Sequence, residues 1–149
     1  MELTWTYKSF NELTPAELYA ILQLRIEVFS VEQNCVYQDA DGKDQQSIHL
    51  CGWNGDFLAA YCRILPAGLS YDYPSIGRVV TSPQYRKGGH GRMLMQKAIE
   101  KTIEFFHAPF IIISAQFYLK VFYESLGFEQ VSEVYLEDNI PHIKMQRTC

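Results

Sequence analysis

The segment Val79–Leu94 reads VVTSPQYRKGGHGRML, and the fold turns on how it is read. A β-branched run meets a Ser82-Pro83 break. A basic pair, Arg86-Lys87, leads into Gly88, Gly89, His90 and Gly91, and Arg92 opens an amphipathic stretch. A strand, a glycine-rich turn and a helix in that order make an anion site. The first amides of a helix have no intrahelical acceptor, and the helix dipole places partial positive charge there. Glycines allow close approach to the backbone, and Arg86, Lys87 and Arg92 add full charges. The predicted guest is a phosphate or pyrophosphate. A Walker A loop is absent, and a G-x-G-x-x-G pattern starting at Gly89 would need glycine where Leu94 stands.

Leu3 to Lys8 alternates as a strand. Thr14-Pro15-Ala16-Glu17 is a capping box with proline at the first helical position. Leu18, Ile21, Leu22, Arg25 and Phe29 then predict a helix to about Phe29. Asp39 to Asp44, DADGKD, reads as a solvated turn, since its spacing lacks the glycine and glutamate of a calcium loop. Strands follow at Ser47–Trp53 and Phe57–Leu65, joined by Asn54-Gly55, and at Ser75–Thr81. Gly89 to Phe106 is a helix with Leu94, Met95, Ala98, Ile99, Ile103 and Phe106 on its apolar face. Phe110 to Ala115 is a strand apolar on both faces, Tyr118 to Leu126 a short helix stopped by Gly127. Phe128–Leu136 and His142–Gln146 form a last hairpin. These elements predict one domain over residues 1–149, of α/β (α+β) class: a mixed central sheet with helices on both faces.

With 149 residues, 48% of them hydrophobic, the chain can fill one substantial core. A formal net charge of -4 argues against nucleic acid as a partner. No segment is long and apolar enough for a membrane span, and MELTWTYKSF lacks the pattern of a signal peptide, so a cytoplasmic location is expected. Cys35, Cys51, Cys62 and Cys149 fit no zinc spacing, and no metal is expected. Cys35, in a loop, lacks the Cys-His context of a nucleophile.

Arg86-Lys87-Gly88-Gly89-His90-Gly91 is R-x-x-G-x-G, and it resembles the acetyl-CoA pyrophosphate loop of the GNAT superfamily of N-acetyltransferases. AQFYLKVFYESLGF, Ala115 to Phe128, resembles the second signature of that superfamily: a strand, a short helix carrying Tyr123, and a closing Gly127-Phe128. LYAILQLRIEVFSVEQNCVYQDADGKD, IGRVVTS and LEDNIPHIKM extend the likeness to the ElaA-like group over nearly the whole chain.

The resemblance implies a sheet splayed to form an acyl-CoA cleft, with acetyl-CoA as cosubstrate and a small-molecule or peptide amine as acceptor, in a monomer or homodimer. It implies that Val79, Val80 and Thr81 pair with the pantetheine arm through their backbone, as in β-augmentation, and that a backbone N–H near Val80 faces the thioester oxygen. It implies further that the amides from Lys87 through Gly88, Gly89, His90 and Gly91 to Arg92 wrap the pyrophosphate, with Arg86 and Lys87 supplying charge. Tyr123 is the implied general acid for the departing thiolate, with Phe122 beside it. Many members carry a base carboxylate on the strand before the loop. Here that strand, Ile76-Gly77-Arg78-Val79-Val80, has none, and His49, His142 and Glu32 remain as candidates for the base or for substrate contacts. A module that binds acyl-CoA without turning it over is the alternative reading.

Overall fold

The computed structural model describes residues 2–149. Eight strands form one sheet: β1 (Thr4–Ser9), β2 (Ile48–Asn54), β3 (Phe57–Leu65), β4 (Ser75–Thr81), β5 (Phe110–Gln116), β6 (Phe128–Gln130), β7 (Tyr135–Glu137) and β8 (Ile140–Thr148). The spatial order is β1-β2-β3-β4-β5-β8-β6, with β7 also paired to β8. Every pairing is antiparallel except β4 with β5. Three helices are added: α1 (Pro15–Arg25), α2 (His90–Phe106) and α3 (Lys120–Glu124).

Alternation along the strands divides the core between two faces. Leu50, Cys62, Ile64, Ile111 and Ile113 pack against Leu94, Met95, Ala98 and Ile99 of α2. Cys51, Leu58, Tyr61 and Val80 face the other way, against Ile21, Leu24 and Val28. Helices therefore cover both faces, and the expected fold class holds. The described residues include no helix long and apolar enough to cross a membrane.

Thr14 accepts from Glu17 N at 3.1 Å while Glu17 Oε1 accepts from Thr14 N at 2.8 Å, so the capping box forms as read. Beyond Arg25 the helix does not stop near Phe29. It widens into a π-helical stretch, Ile26–Glu32, with Gln33 N bonded to Val28 O at 3.1 Å and Cys35 N to Ser30 O at 3.0 Å. Such widened turns are frequent at functional sites. The buried face keeps Ile21 and Arg25 of the expected stripe and adds Leu24 and Val28 in place of Leu18, Leu22 and Phe29.

Two turns differ from expectation. The β2–β3 loop is Gly55-Asp56, with Asn54 paired to Phe57 and a φ of +60° at Gly55, because a first-position glycine suits the twist of the flanking strands. The last hairpin is β7–β8, closed by Asp138-Asn139 at φ +49° and +67°. The expected strand Phe128–Leu136 is broken in two, and both pieces pair with β8 rather than with each other.

Candidate active site

β4 and β5 share one register pair, Ser75 with Ile112, and part beyond it. The gap is filled by no other strand, and a cleft of about 940 Å³ opens there. Its walls include Val79, Val80 and Thr81 from β4, Arg86 and Gly91 from the loop, and Leu119, Phe122 and Tyr123 from the α3 region. The sheet splays because β4 carries a bulge. Tyr61 pairs with Val80 and Arg63 with Gly77, so Arg78 and Val79 both oppose Cys62. Arg78 takes a φ of +51° within it, a conformation side chains resist.

The bulge decides which peptide groups face the gap. Ser82 N donates to Ala59 O at 2.8 Å, in the register that pairs Val80 with Tyr61. Antiparallel alternation then turns the Val80 peptide toward β3 as well. The oxyanion role expected of the Val80 N–H is corrected on this ground. Thr81, and Val79 two residues before Thr81, present their backbone to the splayed edge. The Val80 side chain is buried against α1.

The loop is open. Gly88 and Gly89 have φ of +112° and +78°, and a Cβ on Gly89 would stand in free space. No side chain caps α2, and its first intrahelical bond from within the chain is Met93 N to Gly89 O at 3.0 Å. The amides of His90, Gly91 and Arg92 are therefore free donors at a positive dipole end. A cradle without side chains, uncapped amides and an unpaired strand edge fit the phosphates and amides of an acyl-CoA. Lys87 is exposed beside this cradle, and His90 packs edge-on to Tyr85 at 5.6 Å. Arg92 turns aside, donating to Ser125 Oγ at 2.8 Å with its guanidinium over the Phe122 ring. Arg86 is held across the cleft mouth by both oxygens of Glu32, one at 2.6 Å. That pairing holds the Glu32 carboxyl below its usual range and makes it a poor base.

Tyr123 is 6% exposed, in T-shaped contact with Phe122 at 5.2 Å and Phe128 at 6.0 Å. Burial, reinforced by Cys62 and Tyr118, pushes its phenol well above the ordinary value. It stays protonated at neutral pH, as a proton donor must.

The base candidates separate. His49 is fully buried on β2 and does not line the cleft. Its Nε2–H donates to Asp44 O at 2.9 Å and its Nδ1 accepts from the Tyr61 hydroxyl at 2.6 Å. Burial lowers its pKa against the opposing pull of Asp44. Both ring nitrogens are used, and His49 is a structural residue, which corrects its place among the candidates. His142 on β8 does reach the cleft.

Two groups escaped the sequence reading. DADGKD is not a solvated turn. Arg25 meets Asp39 at 2.9 Å and Asp44 at 2.8 Å, Arg63 meets Asp41 at 2.6 Å and Asp44 at 2.9 Å, and Arg78 meets Asp39 at 3.0 Å. Burial alone would raise the Asp44 carboxyl, but Arg25 and then Arg63 outweigh it and hold it low. Asp41 is held low by Arg63 and Arg78 against the same opposing effect. This network clamps the loop beside the cleft, which Asp41 and Lys43 line. The second missed group is Glu137, which lines the cleft from β7. Cys35 reaches the same hairpin, its thiol donating to Asp138 O at 3.3 Å. Cys51 is buried and its thiol is pushed up to about 12, mainly by burial. The described residues form no cluster of metal-ligating side chains.

Comparison with known proteins agrees with this geometry. A family profile described as an acetyltransferase (GNAT) domain matches residues 20–149. The protein ElaA of Escherichia coli strain K12 is 44% identical over 147 residues, 97% of this chain and 96% of that one. A crystal structure of an acyl-CoA N-acyltransferase from Pseudomonas aeruginosa superposes with a TM-score of 0.94 at 44% identity, covering 98% and 99% of the two chains. The crystal structure of Escherichia coli ElaA gives 0.92 at 43% identity, covering 97% and 99%.

Proposed function

The chain belongs to the GNAT acetyltransferase family, and from that premise we propose that it moves an acetyl group from acetyl-CoA to a primary amine by direct attack in a ternary complex. The observation that carries the reading is the splay of β4 from β5, with the uncapped start of α2 and Tyr123 among the residues that line the cleft. Acetyl-CoA supplies an activated acyl thioester. The chain supplies position, which alone contributes about 7–11 kcal/mol in well-oriented reactions. The Val79 and Thr81 edge holds the pantetheine arm, one of their amides faces the developing oxyanion, and the amides of His90 to Arg92 take the pyrophosphate. Tyr123 holds the proton for the sulfur. The reading as a silent acyl-CoA module rested on a β4 without a carboxylate, and Glu137 brings one into the cleft from another strand.

The test combines binding and turnover. Acetyl-CoA and CoA should each raise Tm, since binding to the native state adds RT ln(1 + [L]/Kd), while ATP should do so much less. Tyr123→Phe should keep acetyl-CoA affinity and lower kcat by about 10²–10⁴. No Tm shift with millimolar acetyl-CoA overturns the cleft assignment. Unchanged activity per folded Tyr123→Phe molecule removes the phenol from the mechanism.

A further inference from the structure

Glu137 and His142 flank the tight β7–β8 turn, and both line the cleft. His142 Nδ1 lies 2.7 Å from Ile140 O. A carbonyl only accepts, so Nδ1 carries a proton, and in the neutral ring Nε2 is the bare nitrogen. Nε2 faces Glu137 Oε2 at 3.5 Å. In the neutral ring that nitrogen and the carboxylate oxygen are both acceptors, so the contact between them has a place for one proton. The other carboxylate oxygen is already held: Ser114 Oγ donates to Glu137 Oε1 at 3.2 Å and accepts from the Tyr135 hydroxyl. The His142 side chain is 8% exposed, whereas that of Glu137 is 49% exposed.

The charges around the pair support the same reading. Tyr135 of β7 stacks on the His142 ring at 6.2 Å, Gln116 of β5 sits opposite it, and Asp138 follows Glu137 at the turn. Tyr71 stands over the cleft with Lys144 Nζ 5.3 Å from its ring, and its phenol is raised by burial, then by Tyr135 and Glu137. The cleft has other carboxylates, but Asp41 is held by Arg63 and Arg78, and Glu32 by Arg86. Glu137 meets no arginine or lysine within ion-pair distance among the described residues.

We propose that Glu137 and His142 form the acceptor site: Glu137 binds the acceptor as a primary ammonium, and His142 Nε2 takes its proton. This rests on the transfer function proposed above and names its acceptor class, a cationic primary amine. One N–H bond of R–NH3+ breaks and its proton bonds to Nε2, giving an imidazolium beside Glu137. The freed nitrogen lone pair forms the C–N bond to the thioester carbonyl carbon, and the C–S bond breaks. The thiolate takes the Tyr123 proton, the second nitrogen proton restores Tyr123 through water, and His142 releases its proton past Glu137 to solvent. The sum is R–NH3+ plus acetyl-CoA giving the amide, CoA and one proton.

The experiment uses 1,4-diaminobutane, glucosamine and Nα-blocked lysine amide as probes, on the wild type, Glu137→Gln, Glu137→Asp and His142→Gln. Kinetics of CoA release across pH are measured beside calorimetric binding of each amine to the CoA-bound protein. Nitrogen-15 spectra of His142 report its tautomer. Glu137→Gln should raise acceptor KM and Kd at least about tenfold, with partial recovery in Glu137→Asp. His142→Gln should lower kcat by about 10²–10⁴ at little change in KM and flatten the acidic limb of kcat. The wild-type spectrum should show a protonated Nδ1. Turnover intact in Glu137→Gln and His142→Gln overturns the site and leaves the transfer function standing. Glu137-dependent amine binding without turnover overturns the transfer function and keeps the site. A lower Tm with unchanged activity per folded molecule assigns His142 to the fold and overturns its role as base, as does absence of amine binding to the wild type.

Discussion

Two loops look alike on paper and differ in space. Asp39–Asp44 and Arg86–Gly91 are each six residues of charge and glycine, and each uses left-handed glycine, Gly42 at φ +80° and Gly89 at φ +78°. The first loop is clamped. Its three carboxylates meet Arg25 from α1, Arg63 from β3 and Arg78 from the β4 bulge. The second is open, and its one ion pair is Arg86 with Glu32 at the surface. What separates them is whether distant elements deliver countercharges. A buried charge needs a partner, so the first loop is fixed by the fold. The second keeps its donors free, as a site for an anion requires.

The largest expected effect breaks the clamp. Asp44→Ala leaves Arg25 and Arg63 buried without a shared partner and should destabilise by about 3–5 kcal/mol. Lys87→Ala in the open loop should stay within about 0.5 kcal/mol. Urea unfolding of both variants measures the contrast, and equal losses would erase it.

Acid should act on the clamp next. His49 has a depressed pKa in the folded chain, so its contribution is full above about 6.5 and is lost as pH falls toward the folded value. Asp41 and Asp44 are also depressed, so their contribution is present above about 3.9 and is lost as pH falls through their folded values. Stability should therefore decline from about pH 6.5 and more steeply below about pH 4. Urea midpoints that stay flat from pH 7 to about pH 3 would contradict this.

The glycines sharpen the open half. Gly91 lies in α2 without positive φ, and a Cβ there would meet only Thr81 Cγ2, at 3.9 Å. Gly91→Ala should preserve stability or raise it by up to about 1 kcal/mol, yet weaken acetyl-CoA about tenfold, or ~1.4 kcal/mol, by filling the cradle. Gly89→Ala should lower stability, because φ of +78° strains any side chain. Unchanged affinity in Gly91→Ala would make the loop a connector.

The smallest effect concerns the mouth. Glu32→Gln should leave Tm nearly unmoved and tighten acetyl-CoA binding a few-fold by releasing Arg86, with a gain that shrinks in salt. Calorimetry at low and high ionic strength tests it, and weaker binding in the variant would mean that Glu32 holds Arg86 in place for the cofactor.

Local signals carried far in this chain. The Thr14 capping box, the β4 run and the α2 stripe are written in neighbouring residues, and all three form as read. The glycine loop was legible for the same reason: a strand, glycines and a helix start need no distant partner to make free amides. Tyr123 was legible through Gly127 and the short helix beside it.

The remainder needed the fold. Asp39 and Arg78 are 39 positions apart and Ser114 and Glu137 are 23 apart, so no period or spacing links them. The β4 bulge turned the Val80 peptide away from the cleft, because one extra residue in a ladder changes which amides face outward. His49 and His142 were equivalent as letters. One was closed by Tyr61 and Asp44, and the other lines the cleft with Nε2 toward Glu137. Sequence alone determined where uncapped amides gather, because a helix start is a local object. The tertiary structure alone decided which charges are buried and which histidine reaches the cleft, because those depend on partners that only folding brings together.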